Sequence, residues 1–183
     1  MFDNRKIELL WSDIRQRAIK SGLRGIAAFH FFLREPQYRT LFWHRLAEAA
    51  NNRFVRDGLR RLYLRSSRRS GLEILVPELG GGVIMPHWGR IILNAESIGN
   101  GLYVFHNVTV GNDYRTGRPV IGSNVFLGAG SILIGKIHIG DHVVVAAGSV
   151  VVQDVPSKSL VAGNPARLIK SLEPEETRRL IGY

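Results

Sequence analysis

From Ile121 onward the chain repeats every six residues, and this period limits the possible folds more than any other feature. The segment divides as IGSNVF, LGAGSI, LIGKIH, IGDHVV, VAAGSV, VVQDVP. Every block opens on Ile, Leu or Val, the second place is mostly Gly or Ala, and the fifth holds Val, Ser or Ile. The same frame extends upstream, with Leu79, Met85 and Ile91 opening blocks six apart. One extra residue intervenes before Ile98, Val104 and Val110 open three more. Five residues are inserted between Val110 and Ile121, within GNDYRTGRP, whose Gly, Asn, Asp and Pro favour loops. A fixed repeat implies a solenoid, in which each turn buries its apolar face against the next. Three hexapeptides make one triangular coil, so the twelve blocks from 79 to 156 predict about four coils. The aliphatic opener points inward and the small or β-branched fifth residue sits near the corner. An ordinary β-sandwich predicts a period of two, not six.

Residues 1 to about 70 read differently. Ile7, Leu10, Trp11, Ile14 and Ile19 form one apolar helical face, interrupted at Ser21-Gly22. A second apolar stretch, Ile26 to Leu33, ends before Pro36, whose ring and missing N–H disfavour continuation. Further helices are expected over Tyr38 to Ala50 and Phe54 to about Leu64. The predicted organisation is a helical region over 1–70, a β-solenoid over 71–170, and a tail or short helix over 171–183.

The chain has no Cys, which removes disulfides, thiolate ligands and a Cys nucleophile together. No signal-peptide pattern or long apolar span is present, so a soluble, cytoplasmic protein is expected, with room for contact at the inner face of a membrane. The net charge is +10, and residues 53 to 69 alone carry seven Arg. Such a segment suits anionic lipid, acidic glycan or phosphorylated ligands. A solvated or subunit-facing helix surface is the plainer reading. No nucleic-acid motif accompanies it, and no nucleic-acid partner is expected.

The repeat, followed by AGNPARLIK, resembles the hexapeptide-repeat acyltransferases. The resemblance implies a mainly β fold, a left-handed parallel β-helix with a helical N-terminal region. LGGGVIMPHWGRIILNAESIGNGLYVFHNVTVG is similar to the serine acetyltransferase branch, and its H-x(18)-H-x-V-T-x-G layout looks closer still to acetyltransferases of exopolysaccharide, colanic-acid-type synthesis. The likeness covers about residues 37 to 172.

Carried over position by position, His87 matches the family's general base. The family's preceding Asp, which helps hold serine, is Pro86 here, and the substrate-contacting Arg-His pair of the inserted loop corresponds to Gly117 and Arg118. The Asp that orients the histidine falls near residues 72 to 73, where Glu73 is the acid, at the cost of a one-residue gap. His106 follows His87 by nineteen residues, about one coil, and is expected as an acceptor contact or second base. Trp88, Asp113, Tyr114, Arg115 and Arg118 are further acceptor-side candidates, the loop among them leaning over the acceptor. Acetyl-CoA is implied as co-substrate, with Gly111, Ala129 and Ala147 lining its arm and Arg167 and Lys170 meeting its anionic end. The resemblance also implies a homotrimer with sites between subunits.

Acetyl transfer to a hydroxyl needs a base for the hydroxyl proton and a donor for the oxyanion. Histidine suits the first task at neutral pH. His30, His44, His138 and His142 read as surface or packing residues. The changes at Pro86, Gly117 and Arg118 point away from serine and toward a sugar or polysaccharide-precursor hydroxyl, with serine as the alternative acceptor. A γ-carbonic-anhydrase-like metal enzyme would need three histidines, and no third accompanies His87 and His106, so no metal is expected. A non-enzymatic scaffold would need only the repeat.

Overall fold

The computed structural model describes residues 2–173, 175, 176 and 179. Four helices come first: α1 (Asn4–Ser21), α2 (Gly25–Arg34), α3 (Pro36–Ala49) and α4 (Arg53–Ser70). Asp3 caps α1 by accepting from the Arg5 N–H at 2.9 Å, and Asn52 caps α4 by accepting from Phe54 and Val55. Pro36 does more than stop a helix: it occupies the first turn of α3, where its missing N–H costs nothing. The fourth helix runs beyond the expected Leu64 to Ser70, and Gly71 ends it with φ 73°. No described helix is long and apolar enough to cross a membrane.

The rest is a three-faced parallel β-helix. The first face stacks β1 (Leu72–Ile74), β3 (Ile91–Leu93), β6 (Val108–Gly111), β9 (Ile132–Ile134) and β12 (Val150–Val151). The second stacks β2 (Glu78–Leu79), β4 (Ser97–Ile98), β7 (Val120–Ile121) and β10 (His138–Ile139). The third stacks β5 (Tyr103–Val104), β8 (Phe126–Leu127), β11 (Val144–Val145) and β13 (Ser159–Gly163), with β14 (Ala166–Ser171) antiparallel on β13. Every predicted opener is buried, from Leu79 at 5% exposure to Leu133 and Ile139 at 0%. The fifth-place residues Val125, Ser131, Val143 and Ser149 are buried too.

Two expectations need correction. A rung at Leu72–Ile74 precedes the first recognised block and β13 follows the last, so the first face has five strands rather than four. The rung at Leu72–Ile74 lacks the Gly or Ala second place that marked the repeat, whereas β13 has Ala162 there and simply lies beyond the last counted block. AGNPARLIK, counted within the solenoid, is not another parallel rung: it forms the antiparallel β13–β14 hairpin. The suggested C-terminal helix falls largely outside the described residues.

The second-place glycines serve space more than dihedral freedom. At the corner between second and third faces, Gly80, Gly99, Gly122 and Gly140 stack coil on coil. A Cβ on Gly80 would lie 2.5 Å from the Gly99 carbonyl carbon, closer than any real contact.

The first coil has no coil before it, so its outward backbone groups need other partners. The helices supply them. Asp13 accepts from the Val83 N–H at 2.8 Å, and the Tyr38 hydroxyl accepts from the Met85 N–H at 2.8 Å. Arg45 donates to the carbonyls of Leu79 and Gly80, and its Nε to Asp13 at 2.9 Å. The Tyr63 hydroxyl accepts from Ile74 N–H at 2.8 Å and donates to Ile74 O at 3.1 Å. Asp13 and Arg45 are buried at 0% and 4% exposure, yet each is hydrogen-bonded twice or more. The helical region is thus the solenoid's end cap.

Candidate active site

The corner where the third face passes into the first carries the candidate site. In the first coil the turn after Met85 presents His87, and in the second the turn after β5 presents His106. The register places these turns one above the other, because β3 pairs with β6 from Ile91↔Val108 onward. The two imidazoles lie 5.9 Å apart between centroids, nearly perpendicular at 81°. His87 is exposed and also tilts over the Phe105 ring at 5.3 Å. Gly89 makes the approach possible: its φ is 152°, and a Cβ there would lie 2.5 Å from the His106 Cβ. The Nδ1 of His106 is shut away from solvent without a hydrogen-bond partner.

The helical cap reaches this corner. Gln37 donates to the His87 carbonyl at 3.0 Å, and the Trp88 indole N–H donates to Glu35 at 2.7 Å. Trp88 therefore stands beside His87, 68% exposed but with its indole edge tethered.

Below the histidines the same corner carries only small residues. Ala129 and Ala147 lie one coil apart, joined by the Gly148 N–H donating to the Ala129 carbonyl at 2.8 Å. The hairpin closes the row, where Arg167 pairs with Ala162 and has no acidic partner among the described residues. At about 4.8 Å per strand, the row from His87 to Arg167 on β14 spans roughly 24 Å. It is a shallow track with two histidines at one end and a cation at the other.

Other sequence candidates lie elsewhere. Glu73 is exposed on the first face, beside Arg68 and Arg90, and no hydrogen bond joins it to His87. Gly111 sits in β6 opposite Ile134, at the far edge of the first face from Ala129 and Ala147. Lys170 is paired with Glu176 at 2.7 Å. The inserted loop emerges at the corner between first and second faces, so it does not lean over the histidines of its own chain. Asp113 is consumed in shaping that loop. It accepts from the N–H groups of Thr116 and Arg115 at 2.8 and 3.0 Å, which hold its carboxyl well below the usual range. Arg118 pairs with Glu96 at 2.8 Å, while Tyr114 and Arg115 are exposed. Among the described residues no group of three His, Asp or Glu stands together as a metal cluster. A separate cleft of about 480 Å³ opens between the helices and the second face, lined by Lys6, His44, Glu48 and Asn100 among others. It touches none of the predicted site residues.

Sequence reasoning missed Phe105, Glu35 and Gln37. Phe105 adjoins His106 in the VFHNVTVG run, so its place at the corner was readable. Nothing local marks Glu35 or Gln37, because a fifty-residue separation joins Gln37 to His87.

Known proteins share the repeat and the fold. The family described as bacterial transferase hexapeptide (six repeats) matches residues 118–153. Serine acetyltransferase 2 of Arabidopsis thaliana is 40% identical over 120 residues, covering 63% of this chain and 37% of the relative. The serine acetyltransferase of Synechococcus elongatus is 31% identical over 160 residues, 85% of this chain and 63% of its own length. The structure of soybean serine acetyltransferase complexed with serine superposes with a TM-score of 0.75 at 30% identity, over 91% of this chain and 70% of that one. The chain belongs to the serine acetyltransferase family of hexapeptide-repeat acyltransferases. It spans between 37% and 63% of the length of the two curated relatives. Family membership gives the long row of corner residues a common context, since the matched segment 118–153 contains both Ala129 and Ala147. These relatives are serine acetyltransferases, and they lend no support to the closer resemblance with exopolysaccharide enzymes.

Proposed function

We propose that the chain is an acetyl-CoA-dependent O-acetyltransferase with His87 as general base and L-serine as acceptor. The pairing of His87 with His106 at the head of a small-residue track carries this reading, and the names of the relatives support the acceptor. The acceptor hydroxyl attacks the thioester carbon and its proton passes to His87. The new C–O bond forms, the C–S bond breaks, and the imidazolium returns its proton to the departing thiolate. No covalent enzyme intermediate is needed. The acetyl-CoA arm would follow Ala129 and Ala147 toward Arg167. His106 would contact the acceptor or the developing oxyanion from its place 5.9 Å from His87.

The loop offers Tyr114 and Arg115 from the opposite edge of the first face. At about 3.3 Å per residue that edge is roughly 15 Å from His87. A second copy in a homotrimer would bring its loop to the histidine corner and complete the acceptor site.

One observation favours a second reading, in which the acceptor is a sugar hydroxyl. Pro86 stands where the family resemblance places an Asp for serine, and the tethered Trp88 ring offers a flat apolar face beside His87. Thiol release from acetyl-CoA tests both, with L-serine and a sugar panel as acceptors. His87→Ala is expected to slow release by about 10²–10⁴-fold while leaving the protein folded. Full activity in that variant would remove His87 from the base role. Release with sugars but not serine would replace the first reading with the second.

A further inference from the structure

The acetyl-transfer corner makes no use of α4, yet α4 is the most highly charged element of the chain. It carries seven arginines against one acid, Asp57. Only Tyr63 and Ser66 are buried on it, and they fix the inward face against α3 and the first coil. At 100° per residue, Arg61, Arg65, Arg68 and Arg69 project from the side opposite Tyr63. None of the seven makes a salt bridge among the described residues. Four apolar side chains share this exposure: Phe54 at 80%, Leu64 at 49%, Val55 at 46% and Leu62 at 43%. Caps at both ends hold the helix in register, so the display is fixed rather than a floppy basic tail.

We propose that the outward face of α4 docks the protein on a bilayer surface rich in anionic lipid headgroups. The arginine row supplies attraction to the headgroups, and Phe54, in line with that row, reaches the boundary between headgroup and acyl chain, with Val55 and Leu62 on one flank and Leu64 on the other. A second copy packed two-fold on this face is the wrong occupant, because arginine would face arginine. A nucleic acid would match the charge but leaves the exposed apolar side chains without a role. Lying flat, the 18-residue helix covers roughly 27 Å of surface. The net charge of +10 adds long-range attraction that salt weakens.

Vesicle co-sedimentation of the full chain tests this. One set of vesicles contains phosphatidylglycerol in phosphatidylcholine and the other phosphatidylcholine alone, each at low and high salt. Binding is expected only to the anionic vesicles and to fall steeply with salt. Each arginine near the surface contributes about fivefold in affinity. Arg61→Glu, Arg65→Glu, Arg68→Glu and Arg69→Glu together should therefore weaken binding by more than about a hundredfold. Circular dichroism confirms that variant's fold, and the milder Arg61→Gln/Arg65→Gln pair serves if it fails. Phe54→Ala should weaken vesicle binding several-fold and leave thiol release in solution unchanged. The proposal is overturned by absent binding to anionic vesicles, by equal binding to neutral ones, or by variants that bind like wild type. It is also overturned if duplex DNA or heparin binds more tightly than the vesicles and Phe54→Ala changes nothing.

Discussion

Acid should destabilise this protein through His44, and the size of the effect follows from its surroundings. His44 lies on α3 with 8% exposure, its ring 5.4 Å from that of Tyr63. Burial is the main cause that lowers its pKa from 6.5 to about 3, and the nearby cations Arg45, Arg60 and Lys6 lower it further. The folded value lies below the unfolded one. The stabilising contribution is therefore complete above about pH 6.5 and is lost as pH falls from there toward about 3. At pH 5 the unfolded chain holds the proton and the folded chain does not, a difference of about 2 kcal/mol relative to pH 7.5. Urea denaturation at pH 7.5 and pH 5.0, for wild type and His44→Phe, isolates this one group. The other five histidines and all carboxylates are common to both proteins and cancel. The wild type should lose about 2 kcal/mol more than the variant over this interval. Equal losses in the two proteins would show that His44 titrates in the fold as it does in water, and the burial argument would fail.

Three further outcomes test the packing and the site. Asp13→Ala leaves Arg45 buried without its carboxylate and should cost about 3–5 kcal/mol, read as a drop in the urea midpoint. Gly80→Ala forces a Cβ to 2.5 Å from the next coil's backbone and should cost about 1–3 kcal/mol. Gly58→Ala, in open space on α4, should instead stabilise by about 0.5–1 kcal/mol, so thermal melts of the two must shift in opposite directions. Gly89→Ala pushes against the His106 Cβ and should cut thiol release by about tenfold or more, with a much smaller loss in melting temperature.

The solenoid was legible because its inward positions recur every six residues, and all twelve openers are buried, although the register sets Leu93 rather than the opener Ile91 level with Val110. The pairing of His87 with His106 was legible for the same reason, since a nineteen-residue step is one coil. Long-range partners were harder. Glu73 was chosen by proximity in sequence to an expected acid, but on β1 its side chain faces outward from the first face. The insertion was recognised by its turn residues, yet turn chemistry does not say which corner of the triangle it leaves. Asp13 and Arg45 carried an unused signal. Asp13 falls between Leu10 and Ile14 on the apolar stripe of α1, and Arg45 follows Leu41 on that of α3. A charge on each of two apolar stripes is what a buried ion pair between helices leaves in a sequence.

The end cap and the candidate site share one piece of chain. Tyr38 satisfies the Met85 N–H, Gln37 holds the His87 carbonyl, and Glu35 tethers Trp88, all within four residues at the junction of α2 and α3. Those contacts fix residues 85 to 88, where no preceding coil exists to set the turn. His106 needs no such help, because its turn is braced by coils on both sides: the His106 carbonyl accepts from the Gly130 N–H at 3.0 Å, and its Cβ lies against Gly89. The two histidines are therefore positioned by different means, one by the helical region and the other by the repeat. Damage to the α2–α3 junction should disturb His87 before it disturbs the β-helix. The helical region thus bears on the candidate site through the placement of a single turn, although it carries none of the proposed reacting groups itself.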